Sequence, residues 1–123
     1  MYPTDLKYTS EHEWVRTAGD EAAIGITDFA QKQLGDVVFV QLPDVGRTLT
    51  QGEVFGEIES VKATSELFSP VAGTVVAVND ALGTHPDTVN SQPHDTWMIR
   101  VKMANSGELD KLMDSAAYEA LIK

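Results

Sequence analysis

Apolar and polar residues alternate along much of the chain in short runs, each closed by Gly, Pro, Asn or Asp. A two-residue period marks strands with one face turned to a core. Residues 7–18 (KYTSEHEWVRTA) predict a short strand that turns at Gly19 and Asp20, and residues 21–26 (EAAIGI) predict a second. Residues 36–43 (DVVFVQLP) are rich in β-branched side chains and stop at a proline. A turn over Asp44 to Gly46 leads into residues 47–60 (RTLTQGEVFGEIES), which predict two or three short strands split by Gly52 and Gly56. Residues 64–79 (TSELFSPVAGTVVAVN), broken at Pro70 and Gly73, and residues 97–103 (WMIRVKM) complete the strands.

Two stretches leave that rhythm. Thr27 and Asp28 offer a helix start, with Gln31 three residues after Asp28 as in a capping box; a short helix follows and Gly35 stops it. From Ser106, a candidate cap, the residues Leu109, Leu112, Met113, Ala116, Ala117, Ala120 and Leu121 recur at helical spacing. Asp114 is placed to end one helix and cap another. The pattern predicts a mostly β protein, a small sandwich or barrel with small peripheral helices. The length fits a single domain over residues 1–123, with a helical segment over about 106–122.

Composition narrows the function. Nine Lys and Arg against nineteen Asp and Glu give a formal charge of −10. Nucleic acid and anionic membranes need a basic surface, so neither is an expected partner. Basic patches on other proteins suit this charge better. The chain has no cysteine, which excludes disulfides and thiol catalysis by its own side chains. No apolar run approaches the roughly 20 residues of a membrane span. The first residues, MYPTDLKYTSEHEW, lack the apolar core of a signal peptide and the Arg-rich pattern of a presequence. The chain is expected to be cytosolic, or already processed. His12, His85 and His94 have no metal-ligand spacing, and Trp14 and Trp97 are expected in the core.

One lysine stands apart. Within GEIESVKATSEL (56–67), Lys62 sits among Glu57, Glu59 and Glu66, between two strand-like runs joined by a turn. A lysine at the tip of such a hairpin is within reach of another protein's active site. The acidic neighbours do not lower its pKa, which argues against Schiff-base catalysis. On charge and spacing alone two roles stand open: a surface ion pair with Glu59 or Glu66, or attachment of a cofactor through an amide, which removes the charge and adds a flexible arm.

Beyond that point the sequence is similar to a known family. YTSEHEWV, IGITDFAQKQLGDVVFVQLPDVG, ESVKA, SPVAGTVVAVN, TVNSQP, WMI and ELDKLM resemble, in order, the blocks of the glycine cleavage system H protein family over nearly the whole chain. Biotin carriers usually flank the lysine with methionines, whereas Val61 and Ala63 stand here; the lipoyl domains of 2-oxoacid dehydrogenases, often Asp-Lys-Ala, are nearer. The EHEWV and ITDFAQ blocks favour the H protein. The resemblance implies a flattened β-sandwich of barrel-sandwich hybrid type and lipoate in amide linkage on Lys62. It implies a carrier, not an enzyme, that takes an aminomethyl group from glycine decarboxylase (P protein) to the aminomethyltransferase (T protein) and electrons to dihydrolipoamide dehydrogenase (L protein). The sulfurs then come with the cofactor, so a redox carrier without cysteine is no contradiction.

The same resemblance, together with charge, makes Glu13 and Glu66 the expected holders of the aminomethyl ammonium, with Ser65 and Gln33 nearby. Glu59, three residues before Lys62, is the acid expected to be read by a lipoate ligase or lipoyltransferase, with Glu57 and Ser60 beside it. A lipoate relay serving other lipoyl-dependent enzymes is the alternative function, and a plain interaction module with a bare lysine is the third. The chain departs from the family after SQP, where His94, Asp95 and Thr96 precede Trp97 in place of a tyrosine and glycines. No role is carried over to that loop.

Overall fold

The alternating runs pair into two antiparallel sheets in the computed structural model, which describes residues 2–123; residue 1, the first of the expected domain, lies outside the described residues. The strands are β1 (Lys7–Tyr8), β2 (Glu13–Ala18), β3 (Glu21–Ile26), β4 (Val37–Gln41), β5 (Thr48–Leu49), β6 (Val54–Ser60), β7 (Thr64–Phe68), β8 (Gly73–Val78) and β9 (Ile99–Met103). Six of them form a sheet in the order β1-β2-β3-β9-β8-β5, and the other three a sheet in the order β4-β6-β7. Val15, Ile24, Val75 and Val101 of the first sheet bury against Phe55, Ile58 and Leu67 of the second. This is the mostly β sandwich that the alternation predicts. Three helices trim it: α1 (Asp28–Leu34), α2 (Thr88–Ser91) and α3 (Ser115–Leu121). None is long and apolar enough to cross a membrane.

A second apolar cluster lies outside the sandwich. Leu6, Tyr8, Trp14 and Tyr118 are fully buried there, with Tyr2, Met113 and Ile122 packed against them. Trp14 and Val15 alternate along β2, so one side chain enters this cluster and the next enters the main core. The last helix therefore covers the face of the large sheet that strand alternation alone would leave wet.

Several local expectations change. Residues 7–18 form two strands, not one: β1 folds back on β2, with Lys7 opposite Val15 and Tyr8 opposite Trp14. The turn between them ends on His12, whose φ of 69° is the left-handed region that non-glycine residues rarely occupy. Gly56 does not split a strand. β6 runs through it with a shift of register, and a Cβ there would strike the Gln41 carbonyl. Thr27, not Asp28, caps α1 by accepting from Ala30 N, while the Gln31 amide donates to Asp28 Oδ1 at 2.8 Å. Gly35 ends the helix with φ 79°, as expected. Asn105 rather than Ser106 caps a 3₁₀ turn over Ser106–Lys111, and Asp114 caps α3. α2 and a 3₁₀ turn over Asp80–Gly83 escape the sequence because four residues are too few to show a period. Trp14 is in the core; Trp97 is only partly buried, with the Arg100 guanidinium 4.3 Å over its ring.

Candidate functional site: a lysine tip beside a cleft with a buried carboxylate

Lys62 sits at the tip of the β6–β7 hairpin. Glu59 pairs with Thr64, and Ser60 N donates to Ala63 O at 2.8 Å to close the turn. The Ser60 hydroxyl is half of the turn's chemistry: its oxygen accepts from Lys62 N at 3.3 Å and Ala63 N at 3.0 Å. Val61 N donates to Asp36 O at 3.0 Å, which ties the tip to the start of β4. Val61 and Lys62 are exposed. Neither Glu59 nor Glu66 pairs with the ammonium, and none of the ion pairs among the described residues includes Lys62. The lysine stem passes over Gly35, where an added Cβ would stand 3.4 Å from Lys62 Cε.

Next to the tip lies a cleft of about 310 Å³. The hairpin forms one side with Ala63, Thr64 and Ser65, α1 a second with Ala30, Gln33 and Leu34, and the β1–β2 turn a third with His12 and Glu13. Glu13 is only 2% exposed. Its Oε1 accepts from the Thr9 hydroxyl at 2.8 Å, and its Oε2 accepts from Phe68 N at 3.3 Å. One carboxylate thus spans the seam between the two sheets, satisfying an edge amide of β7. Burial pushes its pKa up to about 7, against the two hydrogen bonds that pull it down. A carboxylate held so is poised to ionise fully when a cation enters.

The expected residues fall into two groups. Glu13, Ser65 and Gln33 share the cleft, with Glu66 at its rim. Strand alternation sets Ser65 on the inner face opposite Ile58 and pairs Glu66 with Glu57 on the outer face. Glu59 is exposed on that outer face, opposite Phe39 of β4. A larger open hollow of about 530 Å³ lies along Gln41 to Asp44; its Arg47 is taken up by Glu53 at 2.9 Å and Val54 O at 2.9 Å, and of the acids weighed above only Glu57 borders it.

Sequence reasoning misses three residues behind the cleft: His12 as a lining residue, Thr27 and Tyr118. His12 Nδ1 lies 2.8 Å from the Tyr118 hydroxyl, which lies 2.7 Å from Thr27 Oγ1. His12 lies inside the EHEWV block, a signal that was available; Tyr118 is 106 residues away and carries none. Among the described residues no group of three or more His, Asp or Glu is arranged to hold a metal. The divergent loop is structural: His94 Nε2 accepts from Asp28 N at 3.2 Å, and the Thr96 hydroxyl reaches Gln92 O at 2.7 Å.

Comparison with known proteins finds relatives over nearly the whole chain. The family model described as glycine cleavage H-protein matches residues 6–123. The chain is 55% identical to the glycine cleavage system H protein of Brevibacillus brevis, over 99% of this chain and 98% of that one. It is 59% identical to that of Nitratidesulfovibrio vulgaris, over 98% of this chain and 94% of that one. The crystal structure of a glycine cleavage system H protein from Mycobacterium marinum superposes with a TM-score of 0.89 at 39% identity, covering 97% of each chain.

Proposed function

The chain belongs to the glycine cleavage H-protein family and is a lipoyl carrier of the glycine cleavage system with a barrel-sandwich hybrid fold, and from that premise we propose that Lys62 is the point where lipoate is joined. The P, T and L proteins are the partners that the system implies. The observation that carries the proposal is the free, exposed Lys62 at a hairpin tip beside a cleft whose depth holds a carboxylate.

The residues fit the group. Ile26, Leu34, Ile58 and Leu67 give the cleft apolar walls suited to an aliphatic arm, and Glu13 gives it one acceptor for a cation. Lipoate, when bound, supplies a dithiolane that accepts the one-carbon cargo and two electrons. The chain's own residues do the rest. Lys62 tethers the arm and raises its concentration at each partner's site. Glu13 holds the cargo's ammonium by a charge-assisted hydrogen bond away from water, with Ser65 lining the same wall and Glu66 guarding the rim. Glu59, on the open outer face, is the acid that a lipoate ligase or lipoyltransferase reads. The carrier has no catalytic activity of its own. It forms one lipoyl-carrier domain over residues 1–123 that includes the helical segment at about 106–122, a reading supported by Tyr118 packing into the Trp14 cluster. The bacterial relatives support a cytoplasmic location.

Intact mass tests the attachment. Protein made with a lipoate ligase gains the mass of one lipoyl amide, and Lys62→Arg does not. Glycine and P protein then load the modified wild type with the aminomethyl group. A bare wild type after exposure to an active ligase, or a gain that survives Lys62→Arg, would overturn the assignment.

A further inference from the structure

One phenol hydroxyl joins two walls of the cleft from behind. Tyr118, on α3, is 0% exposed, and its ring stacks on Tyr8 with centroids 4.7 Å apart. Its hydroxyl is 2.8 Å from His12 Nδ1 and 2.7 Å from Thr27 Oγ1. Thr27 caps α1, which supplies one wall, while His12 ends the β1–β2 turn in a left-handed conformation and delivers Glu13 to another. The last helix of the chain therefore meets the two elements whose spacing sets the cleft.

The protons in this triad have one satisfactory arrangement. Thr27 Oγ1 already accepts from Ala30 N at 3.2 Å, and the residue is 0% exposed. If Thr27 donates to Tyr118 and Tyr118 donates to His12 Nδ1, both hydroxyl protons find acceptors, and the imidazole carries its own proton on Nε2. Any arrangement with a proton on Nδ1 leaves either the Thr27 or the Tyr118 hydroxyl proton buried without an acceptor, which is costly. The imidazolium needs that same proton and meets the same objection. Burial independently lowers the His12 pKa, with only the nearby Glu11 raising it. Nε2 has no hydrogen-bond partner among the described residues, and His12 lines the cleft.

We propose that Tyr118 is a positioning residue for the cleft: with Thr27 it fixes His12 as a neutral imidazole protonated on Nε2, so that the cleft offers one hydrogen-bond donor beside the Glu13 acceptor. Such a pair matches a ligand that carries a cationic amine and, close to it, an acceptor such as a sulfur or an amide oxygen. This deepens the reading of the cleft as the resting place of the loaded arm, and rests on it for the identity of the ligand. The tautomer itself does not depend on that reading.

Long-range ¹H–¹⁵N correlation spectra of the unmodified protein read the tautomer directly. Wild type is expected to show His12 neutral and protonated on Nε2. Tyr118→Phe keeps the stacked ring but removes the relay, and should give mixed tautomers with an unchanged backbone spectrum for α3. Thr27→Ser keeps a hydroxyl and should preserve the wild-type tautomer. A proton on Nδ1 in wild type, or an Nε2–H tautomer as pure in Tyr118→Phe as in wild type, overturns the positioning role. In the lipoylated, glycine-loaded protein, Tyr118→Phe should lose its aminomethyl cargo to water about fivefold faster, the effect of one missing hydrogen bond. Equal retention in both proteins overturns the donor's part in holding cargo. Failure of Lys62 to accept lipoate would instead sink the attachment proposal and leave the spectra to be judged alone.

Discussion

At the hairpin tip, Lys62 has no ionic partner among the described residues, and a single serine hydroxyl organises the turn around it. Across the cleft, Glu13 is 2% exposed with both carboxylate oxygens engaged, and the hydroxyls of Thr27 and Tyr118 beside it are paired as well. The first region is exposed and contributes little to the fold. The second is part of the seam between sheets, so its chemistry and the protein's stability are coupled. A carrier benefits from that division. The handle is able to change its chemical state without disturbing the scaffold, and the scaffold is able to hold a costly buried acid because many contacts over-determine it.

Substitutions at each region sharpen the contrast. Lys62→Arg should remove lipoyl attachment completely, read by mass, with no change in melting temperature, because an exposed side chain without partners supports nothing. Trp14→Ala should cost about 4 kcal/mol in denaturant unfolding, since it empties the cluster that holds α3 to the large sheet. Glu13→Gln acts on stability and function in opposite directions. Its carboxyl is raised from 4.5 to about 7 by burial, so the stability it contributes is fully present below about pH 4.5 and is lost as pH rises through about 7. Glutamine removes that loss, and should be more stable than wild type by up to about 3 kcal/mol at about pH 8, with no gain at about pH 4. The same variant should hold aminomethyl cargo poorly. A flat difference between the two proteins across that pH range would show that Glu13 is not strained by its burial.

Two smaller effects test the tip. Ser60→Ala removes the acceptor for Lys62 N and Ala63 N and should cost about 1 kcal/mol, with slower lipoyl attachment because the turn loosens. Glu59→Gln, on the wet outer face, should change stability by less than about 0.5 kcal/mol while raising the KM of the lipoate ligase for the carrier. Equal KM values for wild type and Glu59→Gln would remove Glu59 from the recognition surface.

The two regions differ in how much of each is legible in the residues. The hairpin was readable because its determinants are local: two alternating runs, a short polar turn and one lysine, all within a few positions. The cleft was readable only in part. Glu13 is expected as a holder of the aminomethyl ammonium, but its burial is not legible, because an alternating strand is read as having one wet face. In β2 the residues Glu13, Trp14 and Val15 are all buried, since the main core takes one face and the Tyr8–Tyr118 cluster takes the other. Glu66 carries the opposite lesson. Its place in the sequence points to the cleft, and it stands at the cleft's rim, its pairing with Glu57 on the outer strand face keeping it from the depth where Glu13 lies.

By itself the sequence determined the strand runs, the stop at Gly35, the cap at Asp114, the exposed lysine and the family, because each is written in neighbouring residues or in blocks kept in order. Tertiary structure alone decided that a carboxylate would be buried at the seam of two sheets, and that a tyrosine near the end of the chain would reach a histidine near its start. Those facts depend on which surfaces meet after folding. Burial, and the cost of leaving a buried proton without an acceptor, belong to the assembled surfaces and to no local stretch of residues.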